Sequence, residues 1–539
     1  MDKRTILAIV LSVAVILIYQ LFFVKPPVKP TAVPSKEAVQ AEKKDLPAPP
    51  PAASLPRAQQ PAGKAAAMAA AVPERFITVE TPLYSARFTT KGGALQSFKL
   101  KGYRQKLNAA AEPIEMVNVS AGMPRPLTLS FPGSSFDPPG EGMFDSETKS
   151  LDLTGGRESR QLILRQTVAD TMKIEKIFTF YPDRYAIDLE VRAANLTAVP
   201  LTQNASLNWS QYVDPKEETD SWSHKGPIAF VAKDIERIDV KKIDGGKTLG
   251  PNVTWGGFES KYFIAAVIPQ NPSLTSFAIT RDNRDLVTVG LQGPKALIPG
   301  GQSDSFVYTL FIGPKDYTIL KAQNVQLENA IDFGSWLKWL AMPLLIVLKW
   351  LYQYVHNYGI AIIILTILIK VIFWPLGNKS YESMKKMQKL QPKMKELQEK
   401  YKTDRQKLSQ ETMALYRTHK INPMSGCLPM LIQIPVFFGL YKTLLYAIEL
   451  RHSPFYWWIQ DLSEKDPYYI TPIIMGGTMW LQQKMTPVGG DPMQQKIMLW
   501  MPVIFTFLFL NFPSGLVIYW LFNNIISIGQ QYYINKRHS

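Results

Sequence analysis

Lys370 lies in an apolar run, Gly359 to Trp374, that is otherwise uncharged and long enough to read as a membrane-spanning helix. An ammonium at the centre of such a helix costs about 2.5 to 3.5 kcal/mol on insertion scales, so it needs either a role or an escape. The escape is snorkelling: Trp374, at the end of the run, is one turn away, and a lysine stem can carry its charge towards the headgroups. The role needs other polar side chains inside the membrane, and these exist. Thr366 lies one turn earlier, Gln433 in the next apolar segment, and Trp520, Asn523, Asn524 and Ser527 in the last, where the spacing of Trp520, Asn523 or Asn524, and Ser527 puts them on one helical face. Singly, each amide reads as glue between helices. Beside a lysine that no Asp or Glu in these segments neutralises, they read together as the lining of a wet cavity.

The rest of the chain divides by period and composition. Residues 1–25 open on Met1-Asp2-Lys3-Arg4 and continue apolar to Val24 with no small-residue cleavage site, so they are expected to be a transmembrane anchor; a removed signal peptide is the alternative. Residues 26–73 are Pro, Ala and Lys rich and cannot bury enough apolar surface to fold, which makes them a disordered tether. From 74 to 332 the period becomes two: Tyr84, Ala86 and Phe88 alternate with Ser85 and Arg87 before Gly92-Gly93, and Ile187, Leu189 and Val191 alternate with Asp188 and Glu190 after Pro182-Asp183. A large all-β sandwich is expected there. Residues 333–357 carry Lys338 and Lys349 on nearly one face and Trp, Leu and Val on the others, the pattern of an interfacial amphipathic helix.

A polytopic α-helical core of five spans is expected over residues 358–535: Tyr358 to Trp374, Leu428 to Ile448, Ile470 to Met485, Ile497 to Phe512 and Leu516 to Tyr533. Residues 378–422 interrupt it with a basic coiled-coil hairpin. Met387, Leu390, Met394, Leu397 and Tyr401 form one apolar stripe, Leu408, Thr412, Leu415 and His419 the other, and Pro392 starts or kinks the first helix. Much of the net charge of +16 gathers here, and Lys385, Lys386, Lys389 and Lys393 are candidates for docking a ribosome, a signal-recognition receptor or anionic lipid; a solvated loop is the plainer reading. The positive-inside rule puts the hairpin in the cytosol, and alternation then puts both termini inside and the β domain outside.

Several function classes drop out. A single cysteine, Cys427, excludes an intramolecular disulfide, and five scattered histidines give no zinc-type ligand set, so no metal and no cofactor are expected. No phosphate-cradling glycine loop and no nucleophile with a base at useful spacing point to an enzyme. His224 with scattered carboxylates in the β region reads as ordinary surface. No specific nucleic-acid partner is expected.

The segments LQPKMKELQEKY, NPMSGCLPMLIQIPVFFGLY, DPYYITPIIMG, DPMQQKIM with MPVIFTF, and FPSGLVIYW resemble, in order and at the expected intervals, the YidC family of bacterial membrane protein insertases. The anchor, tether and external domain are similar to its Gram-negative form. The family's intramembrane charge is commonly arginine; lysine keeps the charge but loses the guanidinium fork. The resemblance implies an inner-membrane protein that inserts and helps fold nascent inner-membrane proteins, alone or with the Sec translocon, through a hydrophilic groove. A client's short polar segment would rest beside Lys370 while its apolar segment slides along the third and fifth spans. It also implies a periplasmic domain similar to sugar-mutarotase sandwiches, a fold that carries no activity by itself. Two alternatives compete: a transporter or channel, which commonly shows internal repeats not found here, and a membrane-anchored periplasmic carbohydrate-binding protein, which leaves Lys370 and the hairpin without a role.

Overall fold

The computed structural model describes residues 73–108, 110–120, 122–136, 141–214, 223–243, 245–334, 336–401, 404–419, 428–485 and 492–537. The expected anchor, nearly all of the tether, the Lys402-Thr403 turn and Cys427 lie outside them.

Alternating apolar residues in the first half form strands with one face buried. Tyr84, Ala86 and Phe88, all at 0% exposure, belong to strand Tyr84–Thr89, and Ile187, Leu189 and Val191 to strand Ala186–Asn195. An antiparallel eight-stranded sheet runs in spatial order through Asp234–Arg237, Gly226–Val231, Val253–Glu259, Phe263–Pro269, Ser303–Pro314, Ala186–Asn195, Met172–Phe180 and Arg160–Val168. Two five-stranded sheets face it. One is built on Ala94–Arg104, Tyr84–Thr89 and Phe76–Glu80, the other on Ser276–Arg281, Leu286–Gln292 and Ser206–Tyr212. Phe88 bridges the layers, its ring centroid 4.9 Å from Phe178 and 5.7 Å from Phe180. This is the sandwich expected from the period of two.

The strand Ser303–Pro314 leads into helix α1 (Tyr317–Lys321), whose N-cap Asp316 accepts from the Thr318 and Ile319 amides at 2.7 and 3.1 Å. Among the described residues the α-helices that follow are α2 (Lys338–Val355), α3 (Tyr358–Lys389), α4 (Gln391–Lys400), α5 (Arg405–Thr418), α6 (Leu428–Tyr446), α7 (Ile470–Met485), α8 (Pro492–Phe509) and α9 (Ser514–Arg537). Among the described residues α3 alone is long and apolar enough to cross a membrane, with Leu499–Phe509 a shorter apolar stretch. The 32 residues of α3 reach roughly 48 Å, well beyond ~30 Å of hydrocarbon, so the helix carries Lys385, Lys386 and Lys389 past the apolar segment without a break. Pro392 sits in the first turn of α4 and starts it, where a missing amide hydrogen costs nothing.

Helix α2 uses its faces differently from the sequence expectation. Ala341, Leu344, Leu345, Leu348 and Leu351 are buried, and Trp339, Trp350 and Tyr354 are exposed. Its two lysines turn to protein, not to headgroups. Lys338 donates to Asn329 Oδ1, and Lys349 donates to Asp316 Oδ2 at 2.8 Å and Thr318 Oγ1 at 3.1 Å while lying 2.9 Å from Glu449. Lys349 thereby ties the β domain to the end of α6.

Candidate functional site

Helix α9 is the post on which the polar side chains hang. It packs along α3 on one side and α7 on another, and also touches α6. Lys370 of α3 donates to Ser527 Oγ at 2.7 Å, and Ser527 Oγ in turn donates to the Asn523 carbonyl at 2.7 Å. Gln433 of α6 donates to Asn523 Oδ1. Asn524, one position round the helix, donates to Thr478 Oγ1 of α7 at 3.3 Å. Consecutive asparagines thus address different neighbours, because one residue turns the direction by about 100°. Asn523, Asn524 and Ser527 are buried, and Lys370 is half-buried.

Two of the expected residues stand aside from this set. Thr366 is buried and satisfied by its own helix, donating to the Ile362 carbonyl at 2.7 Å. Trp520 joins an aromatic cluster, 4.7 Å from Phe437, 5.2 Å from Phe509 and 5.9 Å from Phe505, so it walls the seam with hydrocarbon.

The seam also runs further than the sequence reading took it. Gln530 donates to Asn378 Oδ1 at 2.9 Å and to the Trp374 carbonyl at 3.3 Å; Gln531 donates to the Met485 carbonyl at 2.7 Å. Lys385 donates to the Asn535 carbonyl at 2.9 Å. The signal was present in the spacing: 523/524, 527 and 530/531 continue one face of α9 for another turn. The result is a strip of amides and hydroxyls from the middle of the bundle to the end where α3, α7 and α9 meet the hairpin. Its one cation within the apolar part of α3 makes no ion pair among the described residues.

The docking lysines divide accordingly. Lys386, Lys389 and Lys393 are exposed, whereas Lys385 is engaged at the end of α9. Leu397 and Leu415, expected on the two apolar stripes of the hairpin, both line an open cleft of about 440 Å³ between α4 and α5, rimmed by Lys393, Glu396, Lys400 and Glu411. No residue of α4 is fully buried.

In the β domain, His224 is part of a buried polar knot and not of a solvated face. Its Nδ1 lies 3.0 Å from Glu259 Oε1, which also takes Arg237 Nε at 2.7 Å, while Lys315 Nζ donates to Glu259 Oε2 at 2.9 Å. Burial alone would raise the Glu259 carboxyl, but the Lys315 ammonium, the His224 bond and Arg237 bring it down to about 2. Arg237 reaches on to the Ala330 carbonyl at 2.9 Å, and its Nη1 lies 3.9 Å from Asp332, which in turn lies 4.0 Å from Lys442 of α6. The knot clamps the strand leaving the sandwich. A carboxylate held ionised by Lys315 and Arg237 and hydrogen-bonded to His224 is a poor general base, so the knot reads as structure.

These features define a class: a β sandwich fastened to one end of an apolar helical bundle whose interior holds Lys370 among amides and hydroxyls. Residues 76–347 match the YidC periplasmic domain, and residues 350–539 match the 60Kd inner membrane protein. The chain is 64% identical to the membrane protein insertase YidC of Syntrophus aciditrophicus, with 100% of both chains covered, and 44% identical to that of Geobacter metallireducens, over 99% of this chain and 98% of the relative. A crystal structure of an active YidC insertase with its first transmembrane domain resolved aligns with 85% of this chain and 95% of its own at 20% identity, with a TM-score of 0.38. The chain belongs to the YidC family.

Proposed function

We infer that this chain inserts proteins into the bacterial inner membrane, the activity for which its relatives are named, and that Lys370 is the charge that receives the polar part of a client. The observation that carries the second part is the ammonium's single described bond, to the Ser527 hydroxyl. A client carboxylate brought to ~4 Å gains about 4 kcal/mol at an effective dielectric of 20. Giving up an ammonium bond to a neutral hydroxyl costs about 1.5–3 kcal/mol, less than that attraction, so the exchange favours the client. The strip from Gln530 and Gln531 through Ser527 and Asn523 offers hydrogen bonds along the way from the hairpin end. The client's apolar segment would lie on the exposed apolar faces of α7 and α9, where Ile473, Ile474, Ile525 and Tyr532 point outward.

In this reading the bundle is polytopic: α3, α6, α7, α8 and α9 span the membrane, α2 lies along the outer interface, the hairpin and both termini are cytosolic, and the β domain is periplasmic. The domain boundaries are those of the sequence reading. Sidedness within the molecule supports it. Lys349 joins Asp316 to Glu449, and Ser514 Oγ donates to the Glu464 carbonyl at 2.8 Å, so the α6 end, the α7 start and the α9 start gather by the β domain. The bonds of Gln530, Gln531 and Lys385 gather the opposite ends. Exposed Lys386, Lys389 and Lys393 would meet a ribosome, a signal-recognition receptor or anionic lipid, and the Sec translocon would share some clients.

The test is insertion of matched clients that differ only in translocated charge. Lys370→Arg is expected to retain activity, Lys370→Ala to fail chiefly on clients with acidic translocated segments, and Lys370→Glu to be worst. Equal defects across the client series in Lys370→Ala would leave Lys370 as a positional anchor.

A further inference from the structure

We propose that the loop at residues 455–458 is a membrane-interface anchor that seats Trp457 among the headgroups and outer acyl carbons of the leaflet on the β-domain side. Trp457 is 82% exposed, more than any other large apolar side chain among the described residues. Its backbone sits at φ +54°, a region that a bulky aromatic residue rarely occupies and that persists only where the surroundings enforce it. They do. The Phe455 amide donates to the Ile459 carbonyl at 2.9 Å, the Ile459 amide to the Tyr456 carbonyl at 3.2 Å, and Gln460 Nε2 to the Trp457 carbonyl at 2.6 Å. The fold therefore tolerates backbone strain at a residue whose indole, stacked on the neighbouring Trp458 ring at 5.7 Å, otherwise faces outward.

The loop's attachment fixes its level. Asn357 Nδ2 donates to the Phe455 carbonyl at 3.1 Å, and a Cβ on Gly359 would come within 2.1 Å of the Phe455 ring, so that ring lies directly on the first turn of α3. That turn begins the long apolar helix and so marks the edge of the hydrocarbon. Trp457, two residues on, stands at that edge. Exposed Tyr354 at the end of α2 and Tyr468 just before α7 belong to chain ends on the same side of the bundle. Indole and phenol rings with a polar tip suit the boundary between headgroups and acyl chains. Lipid, not a protein, is the occupant this position favours: the aromatic side chains gather where helices end, not in one flat patch.

The proposal rests on α3 being a membrane span, and the experiment separates the two. The full chain, with Cys427→Ser removing its one cysteine, is spin-labelled at Trp457→Cys or, as a second site, Tyr456→Cys, and reconstituted into phosphatidylethanolamine–phosphatidylglycerol vesicles. Labels at Val199→Cys, 60% exposed on the β domain, and Ile372→Cys, 72% exposed on α3, give aqueous and lipid references. Collisions with a water-soluble nickel chelate are expected to fall about fivefold at 457 relative to 199, with oxygen access between the two references. Nickel access equal to that at 199, with 372 still shielded, overturns the anchor alone. Shielding of 457 from both agents overturns it in favour of a protein contact. Nickel access at 372 overturns the span, and the anchor with it.

Discussion

Lys176 occupies a core-facing position in the strand Met172–Phe180, where Ile174 and Phe178 precede and follow it on the same face. It is fully buried and donates to the carbonyls of Gly92 at 2.8 Å, Gly93 at 3.1 Å and Leu127 at 2.7 Å. All three acceptors have positive φ, so the turns that carry them are shaped to point oxygens at the ammonium. Burial brings this lysine down to about 7, against 10.5 ordinarily. Between those values the unfolded chain binds the extra proton, so this group's contribution to stability rises with pH from about 7 to about 10.5. Lys176→Met is expected to lose that slope and, by stranding three carbonyls, to cost about 3 kcal/mol near neutral pH, read from denaturant unfolding of the full chain. A neutral or stabilising result would mean that relief of desolvation outweighs the lost bonds. Lys370 differs in its partner: one hydroxyl in place of three carbonyls. Ser527→Ala should therefore leave the lysine available and spare acidic clients, whereas loss of insertion as complete as in Lys370→Ala would make Ser527 a partner in client binding.

At the scale of elements, continuity of α3 past the apolar segment changes what its lysines do. Lys385 holds the end of α9, while Lys386, Lys389 and Lys393 stand free of the bundle's core. The triple change of those three to glutamine should lower insertion with little effect on stability, because solvated charges contribute about 0–1 kcal/mol each. Its effect should shrink as salt is raised. Unchanged insertion at equal protein level would reduce the hairpin to a passive connection. Lys385→Gln belongs to another class: it should loosen the α3–α9 end, seen as faster proteolysis after Arg537, even where insertion survives.

At the scale of the molecule, charged fastenings join sandwich to bundle. One is Lys349 with Asp316 and Glu449; another is the Glu259 knot, extended through Arg237, Asp332 and Lys442. Glu259 is depressed from 4.5 to about 2, so its contribution to stability is complete above about 4.5 and is lost as pH falls towards 2. Glu259→Gln should flatten that acid limb and, at neutral pH, destabilise by about 3 kcal/mol through uncompensated Lys315 and Arg237. Denaturant midpoints measured from about pH 5 to pH 3 decide it: parallel curves for variant and parent would assign the acid sensitivity elsewhere.

The sequence by itself determined what each segment could be. A period of two forces strands with one buried face, an uninterrupted apolar run forces α3, and a lysine inside that run with no acid in any neighbouring segment forces a question about charge. Spacing on α9 even marked the polar face, and a further turn of the same count reaches Gln530 and Gln531. Tertiary structure alone decided who meets whom. Lys370 and Ser527 are 157 positions apart, and nothing local distinguishes Asn523, which meets α6, from Asn524, which meets α7. It also turned Trp520 to the aromatic wall, closed Thr366 on its own helix, gave Lys385 to α9 and gathered His224 into a buried knot. Periodicity records which face leaves water; the partner on that face is set by helix crossings and sheet packing, which depend on contacts between segments far apart in the chain.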